Sequence, residues 1–508
     1  MKNEKREFFS SRLGLVLAGI GMAVGTGNIW RFPRIAGKNG GLAFIIAWLL
    51  ALFVWSIPLM MAEMVIGRES RKGPVGALRS FAGESFTFLG AWVSFVTLAI
   101  MFYYSVVAGW CLRYFTYFAV GMVPKNAQAA SDWWKAFTAT PWQTIFFHLT
   151  AILIAAYVVS RGIQAGLEKA NKVLLPALFI MLVGLVIRAL TLPGSWEGVR
   201  FLFQLDPTDF LKAKTWLEAF SQSAWSTGAG WGLLLTFAVY SDVRESKPAA
   251  DCTIIGFSNN VASILAALVV IPTVFALSST GQAAEKILSK GNTGLTFTSL
   301  ASLFSNLTAG WLIGSIFFLA LFFAALTSLI SMLELGARML IDFGMDRSKA
   351  VKTIGVIGFV CGIPSAVYMP FFNNQDWVWG VGLLLSGLFI AIGVILHSVS
   401  DCADKIFPKE STIDRQLWSF AITIIIPVMF FILTGWWLQQ GATWETKVAW
   451  YNPIAQYSPG TVIAQWVLVL LVLFGLNGTI NKYLTADVQV TETAEGSTPS
   501  EGSATPEG

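Results

Sequence analysis

Charged residues are scarce in this sequence. Asp, Glu, Lys and Arg make up 12% of its 508 residues, about half the share found in soluble domains. Hydrophobic residues make up 55%, and the mean hydropathy is +0.65, so the composition indicates a polytopic protein that lies in a lipid bilayer. We assign the net charge of +5 to loops that orient the chain in the membrane, and we expect no nucleic-acid partner.

Cysteine and histidine are also few. The four cysteines are scattered and form no CxxC pair, which argues against a disulfide framework and against a cysteine metal site. The two histidines, His148 and His397, lie in separate apolar segments without a nucleophile or a metal-binding pattern beside them. A polytopic membrane enzyme would need such a constellation, so we expect the protein not to be an enzyme. The charged amino-terminal segment leads straight into an apolar run, and we expect no cleavable signal peptide.

Long apolar runs are what the sequence does contain. Twelve segments are long and apolar enough to cross a hydrocarbon core of about 30 Å, which predicts an all-α polytopic membrane protein. Their predicted bounds are 11–36, 41–67, 86–122, 143–160, 168–191, 215–241, 253–280, 310–341, 351–370, 376–400, 416–438 and 459–484. Lys and Arg are concentrated on the side that this topology gives to the amino terminus. The positive-inside rule therefore predicts a multi-pass protein of the cell membrane with both termini cytoplasmic.

Two of these spans are interrupted by glycine. The stretch "AVGTGNIWRFP" breaks span 1 at Gly25 and Gly27, and "QSAWSTGAGWGLLL" breaks span 6 at Gly228, Gly230 and Gly232. Backbone groups freed in hydrocarbon cost several kcal/mol each, so such breaks are expected to line a cavity. Glycines that merely allow close helix packing are the alternative.

The breaks fall five spans apart, a spacing typical of transporters built from inverted repeats. We therefore predict a 5+5 inverted repeat in which helices 1 and 6 are discontinuous. The predicted organisation is a cytoplasmic segment at 1–10, repeats at 11–191 and 192–400, spans 11 and 12 within 401–484, and a disordered acidic cytoplasmic tail at 485–508.

Three stretches carry a family resemblance. "RLGLVLAGIGMAVGTGNIWRFP", "KNGGLAFI" and "IPLMMAEMVIGR" resemble the neurotransmitter:sodium symporter family, which includes the bacterial leucine transporter. The resemblance runs over spans 1 to 10. It implies secondary active uptake of an amino acid or a relative by alternating access, driven by sodium, with two sodium ions bound and chloride as a possible second cofactor. A monomer and a homodimer both remain open.

The resemblance also implies two sodium sites. The first would use the carbonyl of Ala23 with Asn28, Ser226, Asn259 and the substrate carboxylate. The second would combine span 1 with span 8, and its ligands would be Gly21, Val24, Ala324, Thr327 and Ser328. For the two span-8 hydroxyls the alternative is a bond back to the preceding turn of their own helix.

The substrate carboxylate would meet the amides of Thr26 and Gly27, because a helix N-terminus favours anions, and the hydroxyl of Tyr104. Gly25 stands where monoamine transporters of the family carry an aspartate, which points to a substrate with its own carboxylate. The remaining pocket residues implied by the resemblance are Met22, Ala23, Ile100, Trp225, Ser226, Gly228, Trp231, Ser328 and Met332. The indole rings of Trp225 and Trp231 remove room from the pocket, whereas Gly228 restores some. This balance favours a small neutral amino acid as substrate. The alternative is a carrier of bulkier hydrophobic amino acids without chloride dependence.

Chloride and gating residues complete the implied set. Chloride-independent bacterial members carry an acidic residue four positions after the sodium-binding asparagine, where this chain has Ser263. Gln222, Ser226, Asn259 and Ser263 match the chloride site of the animal transporters. That site also contains a tyrosine, and this chain has Trp48 at the corresponding position. Charge balance by Glu63 or by a proton is the alternative.

Glu63 also matches a family glutamate in span 2 that braces the unwound segment near its break. The outer gate would pair Arg31 with Asp376, and the inner gate would use Arg6, Asp342 and Tyr240. An amino-acid sensor or channel with the same fold remains a remote alternative to a transporter.

Overall fold

The structure of the chain is a computed structural model, and it describes residues 7–242, 246–444 and 448–484. Within these ranges all regular structure is helical, without a strand. Arg6 and the tail at 485–508 lie outside the described residues, as does most of the predicted segment 1–10.

Twelve spans follow one another along the chain, close to the predicted positions. Their helices are Arg12–Ala23 with Gly27–Lys38 (span 1), Leu42–Ser70 (span 2), Glu84–Ala119 (span 3), Pro141–Ser160 (span 4), Ile163–Leu190 (span 5), Ala213–Ser226 with Leu233–Ala238 (span 6), Pro248–Leu277 (span 7), Gly310–Asp342 (span 8), Arg347–Val367 (span 9), Met369–His397 (span 10), Thr412–Trp444 (span 11) and Pro459–Gly475 with Asn477–Tyr483 (span 12).

Among the described residues, nine of these helices are long and apolar enough to cross a membrane unbroken, and two bent pairs bring the number to 11. Span 6 adds the twelfth crossing only as two short halves. Shorter helices connect the spans: Pro74–Ala82, Ala127–Thr138, Ser195–Phe203, Gly281–Leu288, Gly294–Phe304 and Val399–Ile406.

Spans 3, 8 and 10 form the buried centre of the bundle, whereas spans 4, 5, 9 and 11 leave most of their surface outside it. Span 8 packs along span 3 and also contacts spans 1 and 5. Apolar side chains all round a helix suit either burial in protein or contact with lipid, which explains why the sequence alone does not separate the two groups. The central spans surround the two breaks.

The break in span 1 separates two helices that meet at 50°. The first half ends at Ala23, and the backbone of the next residue, Val24, is extended at φ −81° and ψ 95°. This turn of the chain directs the carbonyl groups around Val24 away from the regular helix ladder.

The break in span 6 depends on glycine. Gly228, Gly230 and Gly232 have φ angles of 73°, 88° and 76°, a left-handed region that residues with a Cβ rarely adopt. Glu63 of span 2 braces this segment, since its carboxylate accepts from Gly230 N at 2.6 Å and from Leu235 N at 3.2 Å. The sequence therefore breaks both helices at mid-membrane and supplies partners for the backbone groups that are freed.

Candidate substrate and cation site

The break in span 1 leaves carbonyl groups without their usual partners. In a continuous helix the amide of Gly25 would bond the carbonyl of Gly21, four residues back. Here Gly25 N donates to Asn28 Oδ1 at 2.9 Å, and Thr26 N donates to Tyr104 Oη at 3.0 Å. Carbonyl oxygens at mid-membrane are thereby released from the ladder, and they are neutral oxygen ligands of the kind that a hard cation prefers.

The first predicted cation site is an oxygen cluster. Gly25 N can only donate, so the Asn28 atom that faces it is Oδ1, and Asn28 Nδ2 then faces Asn259. The Asn259 atom 2.7 Å from that nitrogen is therefore Oδ1. The same oxygen lies 2.8 Å from the Ser226 carbonyl oxygen and 3.1 Å from the Ala23 carbonyl oxygen. Turning the Asn259 amide by a half turn would relieve its contacts with the two carbonyl oxygens. It would also place the NH2 group of Asn259 against the NH2 group of Asn28, and two donors cannot bond each other.

Three oxygens thus converge with no hydrogen between them, and a sodium ion fits this requirement. All four residues predicted for the first sodium site meet here. Asn28 differs from the expectation in one respect, because it presents its Nδ2 group to Asn259 and to Ser263 Oγ at 2.8 Å. In this conformation it orients Asn259, and it would supply an oxygen of its own only after its amide turns.

The second predicted cation site lies between spans 1 and 8. Thr327 Oγ1 donates to the Ala324 carbonyl at 3.1 Å, and Ser328 Oγ donates to the same carbonyl at 3.3 Å and to Met22 O at 3.4 Å. The hydroxyls therefore bond back to their own helix, the arrangement that the sequence left open. A Cβ placed on Gly21 would stand 3.4 Å from Thr327 Cβ, so the two spans are in contact at this point.

The predicted substrate position lies beside Gly25. A Cβ at this residue would come within 2.9 Å of Tyr104 Oη and 3.0 Å of Ser328 Oγ, so a side chain here would displace both hydroxyls. Thr26 holds the same Tyr104 oxygen through its amide at 3.0 Å and its hydroxyl at 3.3 Å. A Cβ at Gly27 would meet no atom within 4 Å. The start of the second half-helix therefore faces open space with polar groups around it.

One cavity of about 800 Å³ contains this position. Every residue predicted to bind substrate lines it: Ala23, Gly25, Thr26, Gly27, Ile100, Tyr104, Trp225, Ser226, Gly228, Trp231, Ser328 and Met332. The cavity continues to Lys214, Asn292 and Tyr457, which lie in or near the loops on the face opposite the amino-terminal segment. The site is thus open toward that face.

The predicted outer gate is apart in this structure. Arg31 and Asp376 both line the cavity, but among the described residues Arg31 pairs with Glu218 at 3.4 Å and not with Asp376. Its guanidinium also donates to Gln222 and lies 4.3 Å from the ring centre of Trp225. Arg31 is held on the span-6 side of an open passage.

The opposite face is closed by buried ionic contacts. Tyr240 Oη donates to Glu334 at 2.7 Å, and Arg347 pairs with the same carboxylate at 2.6 Å. Phe9 N donates to the carbonyl of Tyr240 at 3.0 Å, which ties the amino-terminal segment to span 6. Tyr240, which the sequence assigns to the inner gate, thus has Glu334 as its partner.

Asp342 belongs to a second inner contact. It pairs with Arg338 at 2.6 Å and accepts from Gly73 N at 2.5 Å. Its predicted partner Arg6 lies outside the described residues. Arg338 and Arg347 are not among the gate residues predicted from the sequence. The four-residue spacing of Arg338 and Asp342 on one helix was the available signal.

Three of the four residues predicted for chloride come together. Ser226 and Asn259 belong to the oxygen cluster, and Ser263 Oγ donates to the Asn259 carbonyl at 3.2 Å. Gln222 instead directs its amide oxygen to Arg31. The chloride set is therefore only partly assembled in this conformation.

Comparison with known proteins agrees with the fold. The profile of the Sodium:neurotransmitter symporter family matches residues 6–136 and 138–481. An uncharacterized sodium-dependent transporter of Methanocaldococcus jannaschii is 34% identical over 415 residues, which cover 78% of this chain and 82% of that protein. Another, from Haemophilus influenzae, is 33% identical and covers 85% of this chain and 98% of that protein.

More distant similarity reaches named transporters. The sodium-dependent neutral amino acid transporter B(0)AT2 of Pongo abelii is 30% identical over 296 residues, 53% of this chain and 40% of that protein. The crystal structure of MhsT in complex with L-phenylalanine is similar with a TM-score of 0.75 and 30% identity, and the match covers 84% of this chain and 99% of that chain. These findings confirm the resemblance seen in the sequence. The chain belongs to the sodium:neurotransmitter symporter family, and it is a multi-pass membrane transporter and not an enzyme.

Proposed function

We propose that this protein is a sodium-coupled symporter that imports a small neutral amino acid by alternating access. The observation that carries the proposal is the cluster of converging oxygens at Ala23, Ser226 and Asn259, which a cation would satisfy, directly beside an open cavity. Two sodium ions would bind, one in this cluster and one between spans 1 and 8. The cell membrane, with both termini cytoplasmic, is the proposed location.

The polar groups of the cavity suit a zwitterion. The amides that begin the second half of span 1 and the hydroxyl of Tyr104 would bind the substrate carboxylate, since a helix N-terminus favours anions. Gly25 leaves no acidic side chain to hold a substrate amine, so a substrate that carries its own carboxylate fits best. The carboxylate would also complete the ligands of the first sodium ion.

Ring volume supports a small side chain on the substrate. Ile100 and Met332 are almost fully buried where they border the cavity, and Trp231 adds an indole beside them. Trp225 removes less room than its size suggests, because its ring lies at the outer rim between Arg31 and Trp437, 4.9 Å from the latter ring.

A bulkier hydrophobic amino acid is the second candidate. Gly228 leaves its left-handed turn without a side chain, and the atoms nearest to a Cβ there would belong to Met22, at 3.6 Å or more. The similar protein MhsT was solved with L-phenylalanine. Both observations favour a pocket that can widen around a larger side chain.

Chloride assistance is part of the proposal. Two sodium ions about 8 Å apart repel by about 2 kcal/mol at an effective dielectric constant near 20, and a zwitterion adds no net charge. Ser263 offers a neutral hydroxyl where an acidic residue would balance this charge. Trp48 stands where a tyrosine is expected, and its buried indole N–H has no partner among the described residues.

Uptake into proteoliposomes tests the proposal. An inward sodium gradient should drive accumulation of a radiolabelled neutral amino acid above its outside concentration, and dissipating the gradient should abolish it. A sensor or a channel would bind or pass the amino acid without accumulation. Competition then separates the two size classes: glycine and alanine should compete better than leucine and tryptophan, and the reverse order would favour the second candidate.

A further inference from the structure

Asn171, near the start of span 5, carries a buried amide oxygen without a partner. The residue is 1% exposed. Its Nδ2 donates to the carbonyl of Leu167 at 3.0 Å, and because a carbonyl can only accept, this bond fixes which way the amide points. The other atom is Oδ1, and within the described part of the chain it accepts no hydrogen bond.

This oxygen lies against Gly21, one of the residues predicted for the second cation site. A Cβ built on Gly21 would stand only 2.1 Å from Asn171 Oδ1 and 3.4 Å from Thr327 Cβ. The amide oxygen therefore approaches the turn of span 1 in which Gly25 N has turned away from the Gly21 carbonyl. Only a residue without a side chain at position 21 permits this approach.

Within the described part of the chain, no hydroxyl group donates a hydrogen bond to Asn171 Oδ1. Thr327 Oγ1 directs its hydrogen to the carbonyls of Phe323 and Ala324, so it is not a donor to Asn171. A buried acceptor that lacks a donor costs about 1–3 kcal/mol. A cation between spans 1, 5 and 8 would satisfy this acceptor together with the released carbonyl groups.

Span 5 approaches the site from the closed face. Glu168, three residues before Asn171, accepts from Ser10 N at 2.8 Å and pairs with Lys172 at 2.6 Å. Asn171 thus lies between the amino-terminal segment and the second cation site, on the side away from the open cavity.

We propose that Asn171 is a further sodium-binding residue, which adds a span-5 side-chain oxygen to the site formed by spans 1 and 8. This inference rests on the proposed sodium coupling and assigns to that site a residue that the family resemblance did not supply. Its oxygen would hold the ion from the side toward which the ion leaves during import.

Sodium binding to the purified full-length protein tests this assignment directly. Asn171→Leu keeps the side-chain shape and removes both polar atoms. Asn171→Ala also removes both polar atoms, with a smaller side chain that cannot clash with its neighbours. Each variant should raise the half-saturating sodium concentration about five- to tenfold, read from binding of radioactive sodium and from the sodium-dependent rise of Tm.

A matched control is available at Asn39. This asparagine is also buried, and its Nδ2 donates to the carbonyl four residues back, Ile35 O, at 2.9 Å. Asn39→Leu should therefore cost stability of the same kind without changing sodium affinity.

Two results would overturn the assignment. One is a half-saturating sodium concentration that stays at the unmodified value in both Asn171→Leu and Asn171→Ala, while Thr327→Ala raises it. The other is an Asn39→Leu variant that raises the half-saturating sodium concentration as much as the Asn171 variants do. An unmodified protein that shows no sodium binding at all would instead refute the proposed function, and this assignment would fall with it.

Discussion

At the scale of single residues, the first cation site follows from the direction of two amide groups. The fixed donor at Gly25 N determines the orientation of Asn28, which in turn determines that of Asn259. The resulting contacts between oxygens are unfavourable until a cation enters. The sequence predicted which residues meet here, but the order of donors and acceptors depends on distances that only the fold supplies.

Removing the hydroxyls of the second site should weaken sodium binding there. Thr327→Ala combined with Ser328→Ala deletes two oxygen ligands, and each deleted bond to a charged partner is worth about 1.5–3 kcal/mol. We expect a protein that folds but needs at least tenfold more sodium for uptake. Ser331→Ala is the control, because Ser331 makes the same kind of bond back to its helix, to Thr327 O at 2.9 Å. Unchanged sodium dependence of the double variant would contradict the site assignment.

Ser263 should decide chloride dependence. Replacing chloride with gluconate should reduce sodium-driven uptake by the unmodified protein, because the positive charge of the ions is then unbalanced. Ser263→Glu supplies a fixed negative charge and should make uptake independent of chloride. Ser263→Ala removes the hydroxyl group without adding charge, so it should not make uptake independent of chloride. Full uptake by the unmodified protein in gluconate would mean that charge is balanced elsewhere.

At the scale of elements, the two broken helices were readable from the sequence, since glycines interrupt apolar runs in both. The exact bounds of the helices were harder to predict. The helix of span 10 begins at Met369 and not at 376, and the helix of span 11 extends to Trp444 and not only to 438. Apolar patterns mark where hydrocarbon ends, whereas helices continue beyond the membrane wherever the backbone allows it. The brace between spans 2 and 6 required a family resemblance, because nothing in local sequence pairs Glu63 with Gly230.

The Glu63 brace should be essential for stability. Both carboxylate oxygens accept main-chain N–H groups of span 6, and Glu63→Gln would place an NH2 donor against one of them. An unsatisfied buried pair of this kind costs about 1–3 kcal/mol, so Tm and substrate affinity should both fall. Glu69→Gln serves as the control in the same helix, where Glu69 pairs with Lys405 and is partly exposed. A variant with unchanged Tm would show that the carboxyl group is not needed as a double acceptor.

At the scale of the whole molecule, the two faces are in different states. The passage that reaches Lys214, Asn292 and Tyr457 is open, with Arg31 held by span 6, while the opposite face carries the buried pair of Glu334 and Arg347. The sequence predicted the residues Arg31, Asp376, Asp342 and Tyr240 as gate elements, but it did not predict which pairs are formed. Pairing depends on the conformational state, and an alternating-access protein has more than one state for a single sequence.

Weakening the inner closure should therefore shift the whole molecule toward an inward-facing state. Arg347→Ala would leave the fully buried Glu334 carboxylate without its cation, and breaking one side of a buried pair costs about 3–5 kcal/mol. Opening the inner face lets water reach that carboxylate, so the penalty falls mainly on the outward-facing state. Lys349→Ala is the matched control, because its partner Asp346 is exposed.

The population shift can be read from the outer cavity. Gly380 lines this cavity, and a Cβ there would meet no atom within 4 Å, so Gly380→Cys introduces a thiol without a clash. With the exposed Cys361 replaced by serine, a membrane-impermeant thiol reagent added from outside should label this cysteine at least tenfold more slowly when Arg347→Ala is also present. The Lys349→Ala background should leave the rate unchanged. Equal labelling rates in the two backgrounds would mean that the pair between Arg347 and Glu334 supports the fold without holding the inner face closed.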